Sequence, residues 1–116
     1  MNAVERLWRG FQGRDWAAAR RQLHPGAQIS WPHTGELLGV DEYLTARRRQ
    51  PGEHIVQVHA ITGHAEDRPI AVRATVHSDD GTWHVGGFYD LQVARISGGV
   101  ELWVAEGRAA IPDWRH

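Results

Sequence analysis

The chain predicts an α+β fold, with helices on one face of a curved sheet. Three observations carry that expectation. Helical patterns come early and strand patterns late, in the order α-α-β-α-β-β-β-β. The stretch from Arg68 to Glu106 reads as three consecutive antiparallel strands, turning at Ser78-Asp79-Asp80-Gly81 and at Gln92-Val93-Ala94-Arg95. No repeat, linker or low-complexity run interrupts the 116 residues, so one domain over 1–116 is expected.

Each element has a local reason. Val4, Leu7, Trp8 and Phe11 recur at i, i+3, i+4 and i+7, one apolar stripe of an amphipathic helix that Gln12-Gly13-Arg14 breaks. Asp15 is placed to cap a second helix from Trp16 to about Leu23, with His24-Pro25-Gly26 as its stop. Ala27 to Trp31 reads as a short strand cut by Pro32, and His33 to Gly39 as a loop. Asp41 is expected to cap a third helix through about Arg49, ended by Pro51-Gly52. In that helix Arg47-Arg48-Arg49 reads as a solvated end favoured by the macrodipole. A strand from His54 to about His64 follows, then the acidic turn Glu66-Asp67. In the tail from Arg108, Ile111 and Trp114 could fold back on something apolar.

Two-residue turns at Asp80-Gly81 and Val93-Ala94 would fix the pairing of the last three strands. They place His77 opposite His84, Arg73 opposite Phe88, Gly86 opposite Glu101 and His84 opposite Trp103. Side chains alternate faces along a strand, so this register sorts the sheet. One face holds Arg73, Thr75, His77, His84, Gly86, Phe88, Glu101 and Trp103. The other holds Val72, Ala74, Val76, Val85, Tyr89, Leu91, Leu102 and Val104. A bulge at the Val93-Ala94 turn would reverse the parity of the last strand.

Composition narrows the function classes. A formal net charge of −1 gives no electrostatic argument for nucleic acid or anionic lipid. With no cysteine there is neither disulfide nor thiolate chemistry. No apolar run is long enough to span a bilayer, and the N-terminus enters a helical pattern directly, so a cytoplasmic protein is expected. Six tryptophans spread through all segments suggest an interior lined by aromatic faces.

The order of elements, with Glu5-Arg6-Leu7-Trp8, Asp15-Trp16, Trp31-Pro32-His33-Thr34-Gly35-Glu36, Gly39, Tyr43, Phe88-Tyr89-Asp90-Leu91, Arg95-Ile96 and Glu101-Leu102-Trp103-Val104, resembles the nuclear transport factor 2-like superfamily, in its SnoaL-like branch. That resemblance spans nearly the whole chain. It implies a cone, a curved antiparallel sheet and three N-terminal helices enclosing one pocket, often paired as a homodimer through the outer face of the sheet.

The same resemblance sorts the chemistry. Ketosteroid isomerases of the superfamily carry a base before the proline of the first strand, an acid on the fourth strand and a tyrosine on the first helix. Here those positions hold Trp31, Gly87 (or Gly86), and Leu7 or Trp8, so that chemistry is not implied. Limonene epoxide hydrolases are similar through an Arg-x-Asp and a last-strand Asp. Arg73 and Glu101 match, whereas Thr75 stands in place of the middle aspartate. Polyketide cyclases of the SnoaL type place an acid/base aspartate where Glu101 stands.

Glu101, Arg73 and His33 are therefore the candidate catalytic residues. A carboxylate on an enclosed strand face is desolvated towards a pKa useful for proton transfer, and a nearby guanidinium opposes that shift. Two strands apart, roughly 10 Å at ~4.8 Å per strand, Arg73 and Glu101 could meet across Gly86. His33, beside Trp31 at the expected mouth, could relay protons. Trp8, Trp16, Trp31, Tyr43, Thr75, Gly86, Phe88 and Trp103 are the candidate ligand-binding residues. His77 and His84 lack a third ligand, so neither a metal nor a cofactor is expected. Trp83, near a hairpin tip, is read as a contact for a partner subunit. Two functions stay open: acid–base catalysis, cyclase- or hydratase-like, on a small hydrophobic molecule, or non-catalytic ligand binding or dimerisation in the same fold.

Overall fold

A computed structural model describes residues 1–50, 55–63, 68–107 and 111–115. Three helices, α1 (Ala3–Gly13), α2 (Trp16–Arg21) and α3 (Val40–Arg48), accompany six strands. The strands are β1 (Leu23–Trp31), β2 (Glu36–Gly39), β3 (Ile55–Thr62), β4 (Ile70–Ser78), β5 (Gly81–Gln92) and β6 (Arg95–Ala105). They form one curved, unclosed sheet in the order β2-β1-β6-β5-β4-β3. Neighbours run antiparallel except β1 and β6, which pair in parallel and make the sheet mixed. No helix among the described residues is long and apolar enough to cross a membrane.

The helices start where side chains can satisfy their free N–H groups. Asn2 accepts from the Glu5 backbone N–H at 2.9 Å, and Asp15 accepts from that of Ala18 at 3.0 Å. The α1 stripe of Val4, Leu7, Trp8 and Phe11 is buried, at roughly 1.5–3 kcal/mol of burial per large side chain. Three boundaries differ from the sequence reading. The second helix stops at Arg21, and β1 runs on through His24-Pro25-Gly26, absorbing them in a bulge between Leu23 and Gln28. Glu36 to Gly39, expected to be a loop, pairs with β1 as β2. Gly39, not Asp41, occupies the cap of α3; Asp41 instead pairs with Arg20 at 2.7 Å on the surface. Pro51-Gly52, His54, His64 and Glu66-Asp67 lie outside the described residues. Ile111 and Trp114 are exposed and do not fold back on an apolar surface.

Two register details decide which side chains face the helices. The β4–β5 hairpin turns at Asp79-Asp80, with Ser78 opposite Gly81, so every pair lies two residues from its expected place. Arg73 faces Gly86, Thr75 faces His84 and His77 faces Thr82; His77 and His84 are not opposite each other. A two-residue shift preserves the faces. The β5–β6 hairpin begins as expected, with Gln92 opposite Arg95 and Leu91 opposite Ile96, but Asp90 then pairs with Gly98. Ser97 is an extra residue, and from there on parity is reversed. Glu101 pairs with Gly87 and Trp103 with Val85. Both join Val72, Ala74, Val76 and Tyr89 in the buried set, while Leu102 and Val104 turn outwards.

The β5–β6 turn places Val93 at φ 48° and Ala94 at φ 63°. Both lie in the left-handed region, where a side chain with a Cβ costs about 1–2 kcal/mol and Asn-Gly is the favoured pair. Joint replacement Val93→Asn and Ala94→Gly should therefore raise the unfolding free energy by about 1–2 kcal/mol. Urea melts should show a higher midpoint at an unchanged slope.

Candidate functional site

The register centres the interior on Glu101. Its side chain is fully buried and receives four hydrogen bonds. The indole N–H groups of Trp31 and Trp103 donate to Oε1 at 3.0 and 3.1 Å. The phenols of Tyr43 and Tyr89 donate to Oε2, each at 2.6 Å. An indole nitrogen can only donate, so Oε1 is the acceptor in both of its bonds. Trp8 Nε1 donates to the Tyr89 oxygen at 3.1 Å, which directs the Tyr89 proton towards Glu101. Gly87, opposite Glu101, makes room for this bond: a Cβ there would stand 2.5 Å from the Tyr89 hydroxyl.

The guanidinium inside the fold belongs to Arg47. It is 2% exposed, so the reading of Arg47-Arg48-Arg49 as a solvated helix end fails at its first member. The last turn of α3 points it between rings, with Cζ 3.9 Å from the Phe11 centroid and 4.9 Å from those of Trp8 and Trp103. Desolvated cation–π contacts contribute about 2 kcal/mol or more. Nε and Nη1 are buried and meet no acceptor among the described residues. An unmet buried donor costs about 1–3 kcal/mol.

Burial pushes the Tyr43 and Tyr89 phenols well above their ordinary value near 10, and the Glu101 charge pushes in the same direction. For Tyr43 the Arg47 charge opposes that rise. An acid whose pKa is raised by folding contributes stability that is complete below the unfolded value and lost as pH rises above it. These are the only two tyrosines in the chain. An alkaline titration followed at 295 nm should therefore show no separate phenolate step near pH 10. The signal should appear together with unfolding seen by circular dichroism, and an earlier step would contradict the hydrogen-bonding scheme.

Above the carboxylate lies an aromatic rim. His33 is exposed, its ring 5.2 Å from Trp31 and 6.3 Å from Trp103. Desolvation lowers its pKa below 6.5, opposed by the charges of Glu101 and Glu36. Trp83 completes the rim, 6.3 Å from Trp103 and 6.5 Å from His33. It packs within its own chain, on the buried side of β5.

The structure thus brings together Glu101, Trp8, Trp31, Tyr43 and Trp103, with His33 at the rim. It does not bring Arg73, Thr75, Gly86 or Phe88 to them. Arg73 is exposed on the outer face, because the Ser97 bulge reversed Glu101 and left β4 as it was. Arg73, Thr75 and Gly86 line a separate pocket of about 330 Å³ with His59, His84, Leu102 and Val104. There His59 Nε2 lies 2.6 Å from the Thr75 hydroxyl. Phe88 is exposed on the same face. Trp16 lies on α2, 6.1 Å from Phe11, and lines an outer cleft with Arg20 and Arg48. Arg47 and Tyr89 are the interior groups that the sequence reading missed. Tyr43, Leu44 and Arg47 share a helix face at i, i+1 and i+4, which is the signal that could have found the arginine. Among the described residues, no group of three metal-ligating side chains converges.

No family model and no curated protein matches the chain. Solved structures do. A provisional ketosteroid isomerase from Kribbella flavida superposes with TM-score 0.82 at 19% identity, over 98% of this chain and 83% of that one. IdmH, a provisional polyketide cyclase from Streptomyces antibioticus, gives TM-score 0.74 at 15% identity, over 87% and 88%. An LEH-like epoxide hydrolase from M. tuberculosis gives 0.69 at 17%, over 88% and 80%. An NTF2-like protein of unknown function from Burkholderia xenovorans gives 0.78 at 16%, over 97% and 87%. At these identities the likeness is one of architecture: the chain has the nuclear transport factor 2-like fold.

Proposed function

We propose that this chain binds a compact, largely apolar organic molecule against the aromatic walls around Glu101 and carries out acid–base chemistry on it, cyclase- or hydratase-like. The observation that carries this reading is the buried carboxylate with two kinds of donor. Trp31 and Trp103 hold Oε1 with groups that cannot accept a proton, and Tyr89 is locked by Trp8. The Tyr43 oxygen accepts from Arg47; in this reading Tyr43 is the donor a substrate displaces, the Arg47 bond holding its oxygen while its proton turns to the substrate. A substrate O–H or C–H that takes its place at Oε2 meets a base already stripped of water, and the proton passes to that oxygen. Tyr43, held protonated, then donates to the oxygen of the substrate. His33 assists at the rim as a neutral imidazole. Arg73 has no part in this scheme. The architectural relatives named for isomerase, cyclase and epoxide hydrolase activity support small-molecule chemistry in general terms.

A second reading rests on the same bonds. All four are made within the protein, which suits a binding module whose carboxylate only shapes the chamber. Capture of a co-purified small molecule by mass spectrometry, followed by turnover assays on it, separates the two. In Glu101→Gln, with folding verified, turnover should fall about 10²–10⁴-fold. Unchanged turnover removes the catalytic reading, and a bound compound that is never converted establishes the second.

The outer sheet face supports pairing with a second copy. Phe88, Val100, Leu102 and Val104 stand 38–61% exposed on β5 and β6, a contiguous apolar surface of the kind that marks an interface. Leu102→Lys should weaken self-association tenfold or more by sedimentation, with the circular dichroism spectrum unchanged. A monomeric wild type at high concentration would exclude the homodimer.

A further inference from the structure

We propose that the buried Nε and Nη1 of Arg47 are the docking point for the oxygen of a neutral ligand, a carbonyl- or amide-type acceptor on a compact apolar frame. This rests on the reading of the Glu101 chamber as a ligand site and adds the chemistry of what enters it.

Three observations converge. The guanidinium is permanently charged, and among the described residues two of its nitrogens meet no acceptor although the side chain is 2% exposed. Every oxygen of the nearby carboxylate is already engaged by indoles and phenols, so the protein has allotted its internal acceptor elsewhere. Phe11, Trp8 and Trp103 hold the guanidinium by their rings, and the one bond it makes to the Tyr43 hydroxyl leaves Nε and Nη1 unmet among the described residues. A planar donor edge left free between aromatic faces selects a flat acceptor that lies in the same plane.

Charge selects among acceptors. Arg47 and Glu101 together are neutral, so the interior is balanced before any ligand arrives. A neutral ligand keeps that balance, whereas a carboxylate would leave one uncompensated negative charge in a dehydrated site. A hydrocarbon would leave the two N–H groups unmet. Rejection of a molecule that lacks the hydrogen-bonding atom is the stronger form of selectivity, because the protein group is then left unpaired.

The test compares three probes that share a ring and differ in the oxygen: cyclohexanone, cyclohexene and cyclohexanecarboxylate. The intact, isotopically labelled chain is followed by nitrogen–proton correlation spectra of the arginine Nε–H groups, with Arg47→Lys used to assign the Arg47 signal. Cyclohexanone should shift that signal saturably. Cyclohexene should not, and the carboxylate should bind at least tenfold more weakly than the ketone. Tryptophan fluorescence should report cyclohexanone affinity at least tenfold weaker in Arg47→Met. If that variant does not fold, the wild-type comparison decides alone. A carboxylate that binds best, equal shifts from ketone and alkene, or an Arg47 signal that never moves each overturns the proposal. Its failure is separable from that of the catalytic reading: the spectra need no turnover, and the Glu101→Gln assay needs no probe.

Discussion

Glu101→Leu should lower the unfolding free energy by about 3–5 kcal/mol, since several buried donors lose their acceptor at about 1–3 kcal/mol each. Four donors lose their acceptor at once. The indoles of Trp31 and Trp103 are too deeply packed to find water, and Arg47 is left without the negative charge that balances it. A domain of this size has roughly 5–15 kcal/mol in total, so the variant should be close to unfolding at 37 °C. Glu101→Gln should cost less, because its carbonyl still serves both indoles while the phenols turn to accept from its amide. Tyr43→Phe removes its bond to Glu101 and its bond from Arg47 but leaves both Glu101 indole donors in place, and should cost about 1–2 kcal/mol. Urea denaturation would give the order Leu, Gln, then Tyr43→Phe. The double variant Glu101→Leu with Arg47→Met should be less destabilised than the sum of its parts by 1 kcal/mol or more, since the two charges balance each other. Glu101→Leu within 1 kcal/mol of wild type would mean that the four hydrogen bonds are worth no more to the fold than the leucine that replaces them.

The sequence made the helices, the Asp15 cap and the two hairpins legible, because each depends on local pattern; Glu101 stands out through the family resemblance. What it obscured was direction. From Val100 to Val104 the chain alternates apolar and mixed positions, and apolar alternation ordinarily marks the buried face. Here Val100, Leu102 and Val104 are the outward set and Glu101 the inward one. Both faces of this strand are apolar enough that periodicity cannot choose between them. Arg47 was hidden for a related reason. Flanked by two more arginines it looks like a solvated run, and only its spacing from Tyr43 and Leu44 betrays the buried face. Arg73 was paired with Glu101 on the assumption that a short turn carries strand parity through unchanged, and one extra residue breaks that assumption.

Ser97 is that residue, and its deletion should leave the faces of β6 as they are. With Ser97 gone, Gly98 follows Ile96, so the pair Leu91–Ile96 runs directly into Asp90–Gly98. Glu101 stays opposite Gly87 and Trp103 opposite Val85. What is lost is the local bend of the bulge and the 3.2 Å bond from the Ser97 hydroxyl to the Asp90 carbonyl, a change of about 1 kcal/mol for the bond. The large effect belongs to the opposite change, one alanine inserted between Val100 and Glu101. In an unbroken ladder the inserted residue takes the place opposite Gly87 and Glu101 moves opposite Gly86. Glu101 and Trp103 would then face outwards while Leu102 and Val104 turned in. The carboxylate would lose all four donors, and the space filled by the Trp103 indole would be left to a leucine or valine. These losses together exceed the stability of a domain this size. The expected result is a collapsed nitrogen–proton spectrum and loss of the cooperative melt for the insertion, against native dispersion for the Ser97 deletion. An insertion variant that kept native dispersion and buried indoles would show that packing against the helices, not register, chooses the face of β6.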